Sequence, residues 1–267
     1  MDQRNVGTSP QAALVHVSRE IPNVLLLTLN RPRQRNALNN AMIAELGALF
    51  EQASNEDTIR CVVLTGGHDF FAAGADLKEM HEQGFSAIDN STRRTAWRAI
   101  ERFPKPLIAA VEGYAFGGGC ELAMLSDIVI AGRGARFAQP EIKLGILPGD
   151  GATQRLTRIV GKPLAMRMIL TGEPIDAATA LTAGLISDIV EDGTVLECAL
   201  EMARTIAGNP PAAARLAKEA VLSSYETMLS AGLDVERAAI RLAFTTADQK
   251  EGMDAFLARR TPVFTGR

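Results

Sequence analysis

The segment GYAFGGGCEL, residues 113–122, contains three consecutive glycines followed by Glu121 and an apolar helical pattern. It comes directly after the apolar run LIAAV, residues 107–111, which predicts a buried strand. A glycine-rich turn between a strand and a helix lets the backbone approach a ligand closely and leaves N–H groups free to bind it. The segment therefore predicts an α/β fold with a strand–turn–helix unit at a functional site.

Further strands and one long helix are predicted around this unit. Short apolar runs at 24–29, 61–64 and 128–130 are typical of buried strands. Residues 39–53 repeat apolar side chains at helical spacing and predict an amphipathic helix. Strands that alternate with helices indicate an α/β architecture with crossover connections.

The last third of the chain has a different character. From about residue 194 to residue 259 strand signals are absent, and a run of helices is predicted. The pair Pro210-Pro211 is the best candidate boundary. We therefore expect a loose N-terminal tail at 1–12, an α/β core at 13–208 and a helical C-terminal region at 209–267.

The composition argues against several classes of protein. The 267 residues carry a net charge of −3, which gives no electrostatic basis for binding nucleic acid or an anionic membrane. Cys61, Cys120 and Cys198 are far apart and lack metal-ligand spacing, so we expect reduced thiols, a cytoplasmic location and no metal site. The N-terminus lacks the apolar region of a signal peptide, and no stretch reads as a membrane span.

A second glycine-containing turn, FFAAGADLKE at residues 70–79, also precedes a helical pattern. Helix N-termini present unpaired N–H groups and positive potential. The two turns therefore predict two donors, the N–H groups of Ala75 and Gly118, directed at one developing oxyanion. The alternative is that both are tight turns needed only for folding.

Glu121 and Glu141, the latter in FAQPEI at 137–142, are two carboxylates among apolar residues. An apolar setting raises the pKa of a carboxyl group, and such a pair can divide acid and base duties near neutral pH. Taken singly, Glu121 is also explained as a helix-dipole carboxylate and Glu141 as a solvated loop residue. Together with the two turns, they indicate an enzyme. No serine-nucleophile, P-loop or dinucleotide motif supports another chemistry.

At these residues the chain resembles the crotonase (enoyl-CoA hydratase/isomerase) family, and within it most of all the enoyl-CoA hydratases. The most specific matching segments are 71–76, 108–127, 139–145 and 151–156. The resemblance implies a crotonase-like spiral of ββα units with a C-terminal helical trimerisation region, assembled as a homo-trimer or homo-hexamer. It also implies an acyl-CoA thioester substrate and no separate cofactor, because CoA is part of the substrate.

The resemblance also assigns roles to residues. The N–H groups of Ala75 and Gly118 would bind the thioester carbonyl oxygen. Glu121 would act as base toward the water that attacks Cβ, and Glu141 would protonate Cα. Gly149 matches a glycine that leaves room for that water. Contacts with CoA or substrate are implied for Arg33, Ala37, Ala73, Ala75, Asp76, Leu77, Lys78 and Gly118.

The presence of both glutamates predicts a hydro-lyase that adds water syn across trans-2-enoyl-CoA to give 3-hydroxyacyl-CoA. One alternative is a Δ3,Δ2-enoyl-CoA isomerase, or a hydratase specialised for a dicarboxylic or aromatic acyl group. Another is an RNA-binding scaffold on the same fold, against which the acidic net charge weighs. The pathway, fatty-acid β-oxidation or aromatic-acid degradation, stays open.

Asp150 departs from the small neutral residue that many hydratases have at this position. It would raise a catalytic pKa or accept a polar acyl group, but we expect it to be the N-cap of a helix that begins near Thr153. Segment 80–103 is expected at the acyl end of the pocket, with helix packing as the alternative for each side chain. Its apolar residues are Met80, Phe85, Trp97, Ile100 and Phe103.

Overall fold

The computed structural model describes residues 13–267, so the tail expected at 1–12 lies outside the described residues. In the described part, strands and helices alternate as far as Val190, and only helices follow. The strands are β1 (Val15–Ser18), β2 (Val24–Leu29), β3 (Cys61–Thr65), β4 (Leu107–Val111), β5 (Tyr114–Phe116), β6 (Ile128–Gly132), β7 (Arg136–Ala138), β8 (Ile175–Asp176) and β9 (Asp188–Val190). The helices are α1 (Asn40–Asn55), α2 (Leu77–Gln83), α3 (Ser91–Glu101), α4 (Gly118–Ala123), α5 (Ala152–Thr171), α6 (Ala177–Thr182), α7 (Val195–Ala207), α8 (Pro211–Ser223), α9 (Leu229–Ala243) and α10 (Ala247–Ala258).

The strands form two sheets. The larger sheet has the order β1-β2-β3-β4-β6-β9, and all of its neighbouring strands are parallel except β1 and β2. The smaller sheet has the order β5-β7-β8. A strand of the larger sheet is followed by a short strand of the smaller sheet and then by a helix in β4–β5–α4, and again in β6–β7–α5. This is the repeating ββα order that the resemblance implied.

Both faces of the larger sheet are buried, as expected for parallel strands with crossover helices. Every residue of β3 is buried, and its side chains alternate between two apolar clusters. Val62 and Leu64 belong to the cluster that contains the inner side chains of α1, where Phe50 packs edge-to-face on Phe103 at 5.0 Å. The other face is covered by α7 with Ala199, Ala203 and Ala207.

The predicted strands at 24–29, 61–64, 107–111 and 128–130 are confirmed as β2, β3, β4 and β6. The predicted helix at 39–53 is α1, and Asn39 caps it by accepting a hydrogen bond from the Met42 N–H. The helical run from about 194 to 259 is confirmed as α7 to α10. The division at 208/209 falls between α7 and α8 and stays a prediction. In residues 13–267 no helix is both long enough and apolar enough to cross a membrane.

Candidate active site

An open cavity of about 1790 Å³ lies where the two glycine-containing turns meet. Its wall includes Glu121, Glu141, Ala75, Gly118 and Gly149, so the structure brings together every residue predicted to take part in the chemistry. These residues come from α4, a 3₁₀ turn at Pro140–Leu144 and two connecting segments. A site of this kind, concave and mostly apolar with a few convergent polar groups, is typical of small-molecule binding.

The cavity also tests the expectation for segment 80–103. Met80, Phe85 and Trp97 line the wall, and their place at its acyl end stays a prediction. Ile100 and Phe103 are instead fully buried in the core next to α1. For these two residues core packing is the correct interpretation, because Ile100 in α3 and Phe103 just after it belong to the apolar cluster that contains the inner side chains of α1.

The turns at Ala75 and Gly118 are held side by side by backbone contacts. The Leu38 N–H donates to Gly74 O at 2.8 Å and the Asp76 N–H donates to Leu38 O at 3.2 Å, so Ala75 lies between two anchored residues. A Cβ built on Gly118 would lie 3.7 Å from the Ala75 nitrogen. Within residues 13–267 neither the Ala75 nor the Gly118 N–H has an acceptor. Two close, free donors of this kind are suited to bind one oxyanion.

Glu121 lies in the first turn of α4 and is 2% exposed. Its Oε1 accepts hydrogen bonds from the Asp150 and Ala152 N–H groups, both at 2.9 Å. Burial raises the pKa of Glu121 to about 7, the two N–H donors oppose that rise, and the charges of Asp150 and Glu141 add to it. A carboxyl group that titrates near neutral pH is suited to exchange protons with a substrate or water.

Glu141 lies in the first turn of the 3₁₀ segment Pro140–Leu144. Its carboxylate lies against Gly117, where an added Cβ would stand 2.6 Å from Oε1. Oε2 is buried and has no hydrogen-bond partner in the described part of the chain. Burial raises the pKa of Glu141, and the charge of Asp150 raises it further. Glu141 is therefore a half-buried group with a buried, free oxygen, as a proton donor to a bound substrate requires.

Gly149 borders open space, because a Cβ built on it would meet no atom within 4 Å. It immediately precedes Asp150, whose N–H holds Glu121. The space beside Gly149 therefore adjoins the turn whose N–H groups hold the Glu121 carboxylate.

The expectation that Asp150 is the N-cap of the following helix is wrong. Helix α5 begins at Ala152, and its N-cap is Gly151 with φ +116° and no side-chain bond. The Asp150 carboxylate instead pairs with the guanidinium of Arg93 on α3. The charge of Asp150 raises the pKa of both Glu121 and Glu141, which agrees with the other role considered for it.

The segments expected to contact CoA are adjacent in the structure. The Ala73 N–H donates to Arg35 O at 3.0 Å, which places the loop carrying Arg33 and Ala37 beside the turn at Ala75. Arg33, Leu77 and Lys78 are exposed, and Ala37, Ala73 and Asp76 are partly buried. The Asp76 carboxylate pairs with Arg31 at 2.8 Å and accepts from the Lys78 and Glu79 N–H groups at the start of α2. The side chain of Asp76 therefore organises this segment, and the CoA contacts stay predictions.

Arg93 and Arg155, two residues of the site, carry no mark in the sequence. Arg93 reaches Asp150 from 57 positions away, and Arg155 on α5 donates to Asp150 O at 3.0 Å. Both lie in amphipathic helices, where an arginine is ordinarily a surface residue. Only their long-range contacts distinguish them.

Comparison with known proteins agrees with this geometry. The chain matches the family model described as Enoyl-CoA hydratase/isomerase over residues 19–267. It is 52% identical to the 2,3-dehydroadipyl-CoA hydratase of Escherichia coli K12 over 251 residues, which is 94% of this chain and 98% of the relative. It is 47% identical to the mitochondrial enoyl-CoA hydratase of Pongo abelii, covering 90% of this chain and 82% of that one. The crystal structure of an enoyl-CoA hydratase from Bacillus anthracis matches with a TM-score of 0.90 at 40% identity, over 96% of this chain and all of that one.

The chain therefore belongs to the enoyl-CoA hydratase/isomerase family. The α/β crotonase-like fold and the prediction of an enzyme, a hydro-lyase of the enoyl-CoA hydratase kind, are confirmed.

Proposed function

We propose that the protein hydrates trans-2-enoyl-CoA to 3-hydroxyacyl-CoA, with Glu121 and Glu141 as the acid–base pair. The observation that carries the proposal is the meeting of two carboxyl groups, Glu121 buried and Glu141 half-buried, with two free N–H groups in one cavity. An isomerase needs a single proton shuttle, whereas addition of water needs a base for the water and an acid for Cα. The presence of both groups therefore favours hydration.

The reaction follows from these positions. The Ala75 and Gly118 N–H groups bind the thioester oxygen and stabilise the enolate that forms when the water oxygen bonds to Cβ. Glu121 takes the proton of the attacking water, which lies in the space beside Gly149. Glu141 gives its proton to Cα and so restores the thioester carbonyl. Glu121 has then gained a proton and Glu141 has lost one. A proton must therefore pass from Glu121 to Glu141 before the next turnover.

The first test is the turnover of crotonyl-CoA, followed by loss of its conjugated enoyl-thioester absorbance. We expect 3-hydroxybutyryl-CoA as the product. Glu121→Gln and Glu141→Gln should each lower kcat by about 10²–10⁴-fold, as expected for loss of general acid–base catalysis, while the protein stays folded. Wild-type turnover in either variant would refute the assignment. Conversion of a 3-enoyl-CoA without hydration would support the isomerase alternative.

The acyl group is the finer question. The Escherichia coli relative is named for a 2,3-dehydroadipyl group, so a dicarboxylic chain is the second candidate. Arg93 brings a buried cation to the cavity wall, but Asp150 already neutralises it, so Arg93 is not free to pair with a second carboxylate of the substrate. We therefore place an uncharged chain first. Trans-2-hexenoyl-CoA and 2,3-dehydroadipyl-CoA have equal chain lengths. A higher kcat/KM for the first supports the uncharged chain, and a higher kcat/KM for the second supports the dicarboxylic chain.

Assembly, location and cofactor requirement belong to the same proposal. A homo-trimer or homo-hexamer is supported by large apolar side chains exposed on the C-terminal helices and the loop between α8 and α9, including Met228 and Phe256 at 84% each. Light scattering after gel filtration measures the mass of the assembly.

Cys61, Cys120 and Cys198 are free thiols, which supports a cytoplasmic location. With CoA supplied by the substrate, activity should survive dialysis against a chelator.

A further inference from the structure

Asp150 is held at three points by groups from three different elements. Its carboxylate pairs with Arg93 on α3, its carbonyl oxygen accepts from Arg155 Nη1 at 3.0 Å, and its N–H donates to Glu121 Oε1 at 2.9 Å. Arg155 in turn forms an ion pair with Glu101 on α3 at 2.9 Å. The short turn that carries the base's hydrogen-bond donors is thus connected to both α3 and α5.

The turn needs these anchors because its own backbone is permissive. Asp150 lies between Gly149 and Gly151, and Gly151 has φ +116°, a conformation that side chains rarely allow. The side chains of Arg93 and Asp150 are only 8% and 22% exposed, so water does not weaken their contact as it would at the surface. The Arg93 guanidinium also lies 5.5 Å from the centre of the buried Trp97 ring. The anchor point on α3 is therefore itself immobilised.

We propose that Arg93 and Asp150 are positioning residues for hydration, which hold the turn so that the Asp150 and Ala152 N–H groups fix the Glu121 carboxylate. The inference rests on the proposed function. Arg93 and Asp150 act through the position of the base, without a bond to the reacting atoms.

The charges around Glu121 give the proposal a measurable signature. Asp150 from the turn and Glu141 from the 3₁₀ segment face it as anions, Arg93 and Arg155 face Asp150 as cations, and Glu101 lies beyond Asp150 as a further anion. Replacing Asp150 by asparagine keeps an acceptor for Arg93 but removes one anion and leaves one cation without its partner. Glu121 should then lose its proton at lower pH.

The experiment compares Asp150→Ala, Asp150→Asn and Arg93→Met with the wild-type enzyme on crotonyl-CoA. Asp150→Ala and Arg93→Met release the turn, and kcat should fall about 10²-fold, the cost of a misplacement of about 1 Å. The KM should change much less, because the oxyanion donors and the CoA segments are untouched. Asp150→Asn keeps an acceptor for Arg93 and should recover most of the kcat that Asp150→Ala loses, with the acid limb of its pH profile moved to lower pH.

Lys105→Met is the matched control. Lys105 is 6% exposed, close to the 7% of Arg93, and its ammonium donates to Ala53 O at 2.6 Å and to Glu56 O at 2.7 Å, away from the cavity wall. It should lose thermal stability without losing kcat. If Asp150→Ala and Arg93→Met behave in the same way as this control, the two residues are structural only and the inference is wrong.

A readout that does not depend on hydration separates the two proposals. The carboxyl titration of Glu121 can be followed by ¹³C NMR on glutamate-labelled protein, with the signal assigned by its loss in Glu121→Gln. The midpoint should fall in Asp150→Asn. An unchanged midpoint would overturn the inference even if the enzyme hydrates enoyl-CoA. If the wild-type protein hydrates no enoyl-CoA, the proposed function is wrong. A lowered Glu121 midpoint in Asp150→Asn would still show the electrostatic link between Asp150 and Glu121.

Discussion

Glu141 and Gly117 are in direct contact: the Glu141 carboxylate occupies the volume that a side chain at position 117 would fill. A Cβ there would lie 2.6 Å from Oε1, well inside van der Waals contact. Gly117 is also the N-cap of α4, the helix that carries Glu121. Because Gly117 has no side chain, the Glu141 carboxylate fits next to α4, the helix that carries Glu121.

Gly117→Ala should therefore expel the Glu141 carboxylate from its place and lower kcat by about 10²-fold. The variant also pays for an unfavourable backbone conformation, at φ +50° and ψ −124°. Gly84→Ala is the control for that strain, because Gly84 has φ +57° and ψ −136° but no atom within 4 Å of an added Cβ. Equal loss of kcat in both variants would show that strain alone is responsible.

Gly149→Ala tests the space proposed for the water. No atom lies within 4 Å of an added Cβ, so the free energy of unfolding should stay within about 0.5 kcal/mol of the wild-type value. The methyl group would occupy the space proposed for the water, and kcat should fall. Urea unfolding measures the free energy of unfolding and crotonyl-CoA turnover measures kcat, both on the same preparation. Normal turnover would place the water elsewhere.

Glu121→Gln should stabilise the protein at alkaline pH. Because the folded state raises the pKa of Glu121 from 4.5 to about 7, it binds more protons than the unfolded state between those values. The free energy of unfolding of the wild-type protein therefore falls as the pH rises through this window. The glutamine variant lacks this loss. Its free energy of unfolding should therefore exceed the wild-type value by at most about 3 kcal/mol above pH 7, and the difference should vanish below pH 4.5. Urea titrations at several pH values measure the difference, and a constant offset would contradict the prediction.

The pH dependence of kcat/KM should be bell-shaped. Hydration needs one ionised and one protonated carboxyl group, so the active form of the pair holds a single proton. With Glu121 as the base and Glu141 as the acid, the acid limb reports loss of the proton from Glu121, which places it near pH 7 in the free enzyme, and the alkaline limb reports loss of the proton from Glu141. Steady-state rates between pH 5 and 10 give the profile. A rate that rises monotonically through this range would show that the protonated partner is not required.

The core of the site could be predicted because its signals are local. The glycines beside Ala75 and Gly118 and the apolar neighbours of Glu121 and Glu141 are visible in short windows of sequence. Strands of five or six apolar residues were equally visible, whereas β8, with two residues, has no detectable pattern. Tertiary pairing defines such short strands.

The misassignment of Asp150 has a different cause. A short acidic residue just before a helix is typical of an N-cap. The guanidinium of Arg93 is brought within reach by the packing of α3, and it competes for the same carboxylate. Gly151 then ends the turn without a side-chain cap. A local rule could not identify a partner 57 residues away.

The anchoring of Asp150 to Arg93 also bears on inhibition. A compound that resembles the substrate must compete with CoA for an extended, solvated surface. A small molecule lodged between Arg93 and Trp97, both on the cavity wall, would draw the guanidinium away from Asp150 and so loosen the base. The cavity wall thus offers a target for inhibitors that need no adenine or phosphate groups.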